Sequence, residues 1–163
     1  MDLDAPWLRE LAASYLPQLR DLSIAYALAF VLGWNRERRG RSAGLRTFPL
    51  VAVASCGFVQ AAETMAADSP EAMARVVEGL ITGIGFIGGG AILKAGRQVH
   101  GTATAASIWA TGAIGAAVGL GSYQVAVTVC LFAAITLYML TPLKADRADG
   151  ERADLAAEDR ERE

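Results

Sequence analysis

Gly83-Ile84-Gly85-Phe86-Ile87-Gly88-Gly89-Gly90, GIGFIGGG, is the stretch whose reading decides the fold. Its first six residues match G-x-G-x-x-G letter for letter. A dinucleotide site would need a strand before it, a helix after it, and an acid about 20 residues on for the ribose. The chain has no acid between Glu78 and Asp146. The glycines also lie inside an apolar run of membrane length, Val76–Leu93. They therefore read as packing positions in a lipid-embedded helix, and the chain as all-α.

Working outward, four more runs approach the roughly 20 apolar residues that a helix needs to cross a bilayer core. They are Leu19–Trp34, Thr47–Ala67, Thr102–Leu120 and Tyr123–Pro142. The first is the shortest, and its Arg20 and Asp21 are expected at the membrane interface. The fold class is thus a polytopic transmembrane helix bundle of about five spans. Ahead of it, residues 1–18 carry Trp7, Leu8, Leu11, Tyr15 and Leu16 at spacings of three and four, the pattern of a short amphipathic helix on the membrane surface. The transmembrane domain occupies 19–142. Residues 143–163 form a charged tail, with five bases against eight acids.

Composition supports this division. The 163 residues are 53% hydrophobic and 20% charged, and the charges are crowded into the tail and loops. A net charge of −2 argues against a nucleic-acid partner, whose binders are usually basic over the whole domain. Cys56 and Cys130 fall in apolar runs and read as small packing residues. One histidine, His100, cannot build a multi-histidine metal site. With no nucleophilic constellation either, the chain reads as a non-enzyme.

The loops set the orientation. Asn35–Arg46 holds Arg36, Arg38, Arg39, Arg41 and Arg46 against Glu37 alone, and Lys94–Gly101 holds Lys94 and Arg97. Asp68–Arg75 is mixed, and Gly121–Ser122 is uncharged. Cytoplasmic loops are enriched in Lys and Arg. The expected topology is five spans with the N-terminus outside and the C-terminus in the cytoplasm.

Within the spans, Gly79/Gly83, Gly85/Gly89 and Gly115/Gly119 are GxxxG pairs. Such spacing lets helix backbones approach closely in lipid. Spans three and four are expected to form the tight centre. The triple glycine could further unwind its helix and aim backbone groups at an ion. Glu63 and Glu78, with Gln60 nearby, are the candidate ligands for a hydrated Mg²⁺; no other cofactor is expected. Thr102, Thr104, Ser107 and Thr111 are polar positions on span four.

The order of residues in three blocks carries a resemblance. Asn35-Arg36-Glu37-Arg38 followed by Ala43-Gly44-Leu45-Arg46-Thr47 resembles the E-R-(Q)…A-G-L-R-T signature of the MgtC/SapB family of bacterial inner-membrane proteins. Gly83–Gly90 resembles that family's G-I-G-F-L-G-A-G block, and Gly101–Trp109 its G-L-T-T-A-A-S-I-W block. The resemblance spans roughly Leu22–Leu140. It carries over Glu37, Arg38, Gly44, Arg46, Thr47, Gly83, Gly85, Gly88, Gly90, Gly101, Thr104 and Trp109 as motif residues, with Arg75 at a basic position ahead of span three. Gly89 stands where Ala is common, His100 where Arg is usual, and Ala103 loses a polar side chain.

The resemblance implies a compact inner-membrane domain of about five helices. It further implies a role in magnesium homeostasis or growth in low magnesium and, in intracellular pathogens, in survival inside macrophages. Some members are described as inhibiting the F-type ATP synthase. Two function classes follow. One is a regulator that docks on a membrane partner such as that synthase. The other is a transporter or channel for Mg²⁺ or another cation, for which five spans would call for a homodimer. The arginine-rich loop is expected to form a structured cap in which Glu37 and Arg46 pair with each other or with the turn Lys94–Gly101.

Overall fold

A computed structural model describes residues 6–40, 43–65, 69–95 and 98–140. The described residues form five helices: α1 (Pro6–Arg38), α2 (Thr47–Met65), α3 (Pro70–Gly90), α4 (Thr102–Gly119) and α5 (Tyr123–Ile135). The last runs on into a single π-helical turn, Thr136–Leu140. The tail, 143–163, lies outside the described residues.

Helix α1 differs from the expected pair of elements. It runs 33 residues without a break, through Pro17. At 1.5 Å per residue that is about 50 Å, well beyond a bilayer core. The amphipathic segment is thus the first half of the same helix, and Trp7, Tyr15, Leu16 and Leu19 stand exposed on it. Helix geometry continues because the next apolar residues follow without a Gly or a turn signal. Gly40, at φ 59°, then ends the helix, its N–H donating to the Glu37 carbonyl at 3.0 Å.

Helix α3 starts at Pro70, earlier than the apolar run alone suggests. Ser69 caps it by accepting from the Ala72 N–H at 3.3 Å, and Pro70 at the first position needs no intrahelical donor. Gly88, Gly89 and Gly90 do not unwind this helix. They form its last turn, and the Ala91 and Ile92 amides close it on Gly88 and Gly89 at 3.0 Å.

The turn before α4 is more ordered than a loop. Leu93–Ala95 (β1) and Gln98–His100 (β2) pair antiparallel, with Leu93 opposite His100. Gly101 follows at φ 89°, and a side chain there would collide with the Ala91 carbonyl. This left-handed residue lets the hairpin turn straight into α4, whose Ala105 N–H bonds back to the Gly101 carbonyl at 2.8 Å.

The centre of the bundle is α4, which packs against all four other helices. Its small residues allow this. A Cβ on Gly112 would strike Ile84 of α3, one on Gly115 the Ala52 carbonyl of α2, and one on Gly119 the Val59 side chain and Cys56 carbonyl of α2. The Gly115/Gly119 pair therefore seats α4 on α2. Helix α3 is not half of a tight centre: only Ile84 and Gly88 of it are buried, and side chains at Gly79, Gly83, Gly85, Gly89 and Gly90 would meet nothing. The core also takes Ala25, Ala29 and Leu32 of α1 and Phe48 and Ala52 of α2. Cys56 and Cys130 are free and buried.

The exterior is apolar over most of its circumference. Phe30, Trp34, Leu50, Phe58, Phe86, Leu131 and Phe132 are all exposed. Water-soluble monomers rarely expose apolar surface on this scale. Helices α2 and α3 are each long and apolar enough to cross a bilayer.

Because the Cβ positions differ so sharply, two glycine substitutions should separate. Gly115→Ala is expected to destabilise the bundle by about 1–3 kcal/mol through overpacking. Gly83→Ala is expected to be neutral or to stabilise by up to ~1 kcal/mol, because alanine is the better helix former. Thermal unfolding in detergent, followed by labelling of the buried thiols of Cys56 and Cys130, measures both.

Candidate functional site at the arginine-rich end

Antiparallel packing brings the end of α1, the start of α2, the end of α3, the hairpin and the start of α4 to one end of the bundle. Three polar side chains of α1 meet there. Arg36 is buried, 3% exposed, and its Nη2 donates to Oγ1 of buried Thr104 on α4 at 2.5 Å. Burying a guanidinium is costly unless its donors are satisfied. The threonine is therefore a specific tie between α1 and α4. Asn35 is equally buried, and its Oδ1 has no hydrogen-bond partner among the described residues.

Glu37 reaches outward to the loop, and its Oε2 accepts the Leu45 N–H at 3.1 Å. Gly44 lies directly beneath that carboxylate, and a side chain there would collide with it. Gly33, one turn back, faces the Gly44 carbonyl so closely that an added Cβ would lie 3.1 Å from it. The helix end and the loop are thus stitched by a carboxylate on a backbone amide. Glu37 makes this backbone bond rather than the expected pair with Arg46, which is exposed and forms no ion pair among the described residues; Arg97, the other expected partner in the hairpin turn, lies outside the described residues. A backbone N–H at a fixed position outcompetes a long side chain that would lose rotamer freedom to pair at the surface.

The motif residues separate by position. Glu37, Arg38, Gly44, Arg46, Thr47, Gly88, Gly90, Gly101 and Thr104 gather at this end. Arg38 is exposed, its guanidinium 5.5 Å from the Trp34 ring centre. Gly88 touches the Ala105 backbone, where an added Cβ would lie 3.2 Å from the carbonyl oxygen. Gly83 and Gly85 face outward on α3, Trp109 is half exposed on α4, and Arg75 lies toward the opposite end on the first turns of α3. Arginines 36 and 38 have the same charge and lie two residues apart, yet only Arg36 is buried. Leu32 and Arg36, four apart, share one face of α1, and the packing turns that face into the core.

A second polar cluster, unforeseen from the sequence, ties the opposite end. The Asp21 carboxylate of α1 accepts Arg20 Nε at 2.8 Å and the Tyr123 hydroxyl of α5 at 2.8 Å on Oδ1, and Gln60 Nε2 of α2 at 3.3 Å on Oδ2. Arg20 Nη2 also donates to the Tyr123 oxygen at 2.8 Å. Asp21 is thus a clamp on three helices rather than a simple interface residue. Gln60, expected beside Glu63 and Glu78, is committed to Asp21. Both glutamates are exposed, and no three His, Cys, Asp or Glu side chains come together among the described residues. Gln60 is thus engaged away from the two glutamates.

The geometry defines a class: a compact helical membrane protein built on a small-residue central helix, with a polar tie at each end. Residues 22–145 match the model of the MgtC family. The chain belongs to the MgtC family. It is 41% identical to Protein SrpB of Synechococcus elongatus over 128 residues, covering 71% of this chain and 70% of that one. It is 38% identical to Protein MgtC of Salmonella typhimurium over 108 residues, 66% of this chain and 46% of the relative. With Protein MgtC of Brucella abortus it shares 38% over 122 residues, 75% of this chain and 50% of the relative. The chain thus spans about half the length of these two MgtC proteins. No solved structure matches it.

If Arg36 is the tie, Arg36→Ala should lower stability by at least ~1–3 kcal/mol, the cost of leaving buried polar partners unmatched. Arg38→Ala should stay within about 0.5 kcal/mol, as for an ordinary surface change. Unfolding midpoints of the two variants in the same detergent measure the contrast.

Proposed function

We propose that the chain is a five-span protein of the bacterial inner membrane, N-terminus outside and C-terminus in the cytoplasm. In this reading it serves magnesium homeostasis or low-magnesium adaptation by docking on a membrane partner such as the F-type ATP synthase, with no resident cofactor. Membership of the MgtC family supports the magnesium-related role. The orientation is supported by charge: Arg36, Arg38, Arg39, Arg46 and Lys94 collect at one end of the bundle, the end that the positive-inside tendency assigns to the cytoplasm.

The observation that carries the docking reading is a groove of about 380 Å³ between α4 and α5. Ala103, Ala106 and Ala110 line its α4 wall, and Thr128 and Phe132 of α5 with Thr136 of the π-helical turn its other wall. Small residues three and four apart on an exposed helix face allow another transmembrane helix to approach backbone to backbone. The hydroxyls of Ser107, Thr128 and Thr136 bond to carbonyls of their own helices and demand no polar ligand. Transport draws less support. The hydroxyls of Ser107 and Thr111 likewise turn back onto their own helix, and the cation at Arg36 stands at the arginine-rich end, where it repels a passing cation.

Filling the groove tests this. In inverted membrane vesicles carrying the synthase, the native chain is expected to reduce ATP-driven proton pumping. The pair Ala106→Leu and Ala110→Leu should abolish that reduction while leaving the amount inserted in the membrane unchanged. Saturable Mg²⁺ flux in proteoliposomes of the pure chain, with pumping unaffected, would replace this reading by transport.

A further inference from the structure

We propose that the acidic stretch of the tail, residues 149–159, docks on the exposed cations at the arginine-rich end of the same chain and covers them as an intramolecular latch. This goes beyond the regulatory reading and does not depend on it.

The observations begin with a charge imbalance. Arg38 and Arg39 at the end of α1, Arg46 just before α2 and Lys94 of β1 are all exposed at this end of the bundle. None of the four forms an ion pair among the described residues. The Arg38 guanidinium lies over the Trp34 ring, 5.5 Å from its centre. Glu37 is the described carboxylate beside them, and it is engaged by the Leu45 N–H. The other described acids, Glu10, Asp21, Glu63, Glu71 and Glu78, lie toward the opposite end. Four cations therefore share one rim with no free carboxylate among the described residues. A surface of one sign attracts counter-charge.

Position and charge together identify the occupant. The π-helical turn Thr136–Leu140 closes α5 at this same end. Thr136 and Leu137 line one groove with Ala103, the neighbour of the Thr104 that holds Arg36. The tail thus starts next to the cations. The nine residues from Leu140 to Asp149 reach up to about 30 Å when extended, the width of about three helices side by side. Signs along the tail are segregated. Residues 149–159 hold Asp149, Glu151, Asp154, Glu158 and Asp159 against Arg152 alone. The remaining bases, Lys144, Arg147, Arg160 and Arg162, stand on either side of that block. Five carboxylates can therefore meet four cations as one unit. Tethering keeps them at an effective concentration on the order of millimolar, an advantage that a lipid headgroup or a separate acidic protein lacks. Single exposed ion pairs are weak and screened by salt. The latch holds by number, and rising ionic strength opens it. Closed, it screens the rim from anionic lipid and from acidic partners.

The lysines make the test specific. Lys94 stands on the rim and Lys144 in the tail, and the chain has no other lysine. A carbodiimide joins an amine to a touching carboxylate and leaves arginines unreacted. The full chain, half of it isotope-labelled, is treated in phosphatidylcholine liposomes at low protein density, and linked peptides are read by mass spectrometry. Lys94 is expected to join residues 149–159 of its own chain at low salt. The yield should fall about fivefold at about 0.5 M salt, where the screening length is about 4 Å. Arg38→Gln with Arg39→Gln should lower it to a similar extent at low salt. Links from Lys144 to its neighbours in the tail show that the reagent reaches the carboxylates, and should not change. Lys144 links without a Lys94 link, a Lys94 link indifferent to salt and to the two arginines, or a link of mixed isotope from a second copy would overturn the proposal. So would loss of the link when phosphatidylglycerol is added to the bilayer, which would give the rim to anionic lipid instead.

Discussion

The bundle depends on how closely α4 can approach its neighbours. In lipid there is no hydrophobic gain from bringing two apolar helices together, so cohesion comes from dispersion at short range and from the few polar ties that survive burial. Gly112, Gly115 and Gly119 remove the side chains that would hold α4 off Ile84, the Ala52 carbonyl and Val59. With α4 seated, Thr104 lies within reach of Arg36 and the hairpin can close onto Gly101. A bulkier α4 would separate these groups together.

The two polar clusters divide the work of holding the ends. At the arginine-rich end a buried guanidinium donates to a threonine of another helix, and a carboxylate holds the loop through a backbone amide. At the opposite end Asp21 gathers an arginine, a tyrosine and a glutamine from three helices. Each cluster links segments far apart in the chain: 36 with 104 is a separation of 68 residues, and 21 with 123 one of 102. Together they resist splaying at the places where membrane helices meet water and dispersion alone is weakest.

Membership of the MgtC family accounts for the motif blocks without assigning them one common duty. The structure distributes them over three kinds of work. Gly44, Gly88 and Gly101 make close backbone approaches possible. Glu37 and Thr104 accept hydrogen bonds that tie elements together. Gly83, Gly85, Trp109 and Arg75 are turned outward, where only another molecule or lipid can meet them. A short conspicuous motif in a membrane helix thus does not imply a shared pocket.

What the sequence by itself determined was the helical class, most helix limits within a few residues, and the charge bias of the two ends. Those features are written in length, apolarity and charge, which act locally. It did not reveal that α1 runs unbroken through the amphipathic segment, nor that Arg36 rather than Arg38 is buried. It was likewise silent on which glycine pairs are seated in one copy and on Asp21, Gln60 and Tyr123 meeting. The last three share one physical reason. A helix in lipid is apolar all round, so its sequence carries no inside-to-outside contrast to say which face packs. Only the rotation of each helix about its axis, set by its neighbours in three dimensions, decides which of two equivalent residues becomes a contact.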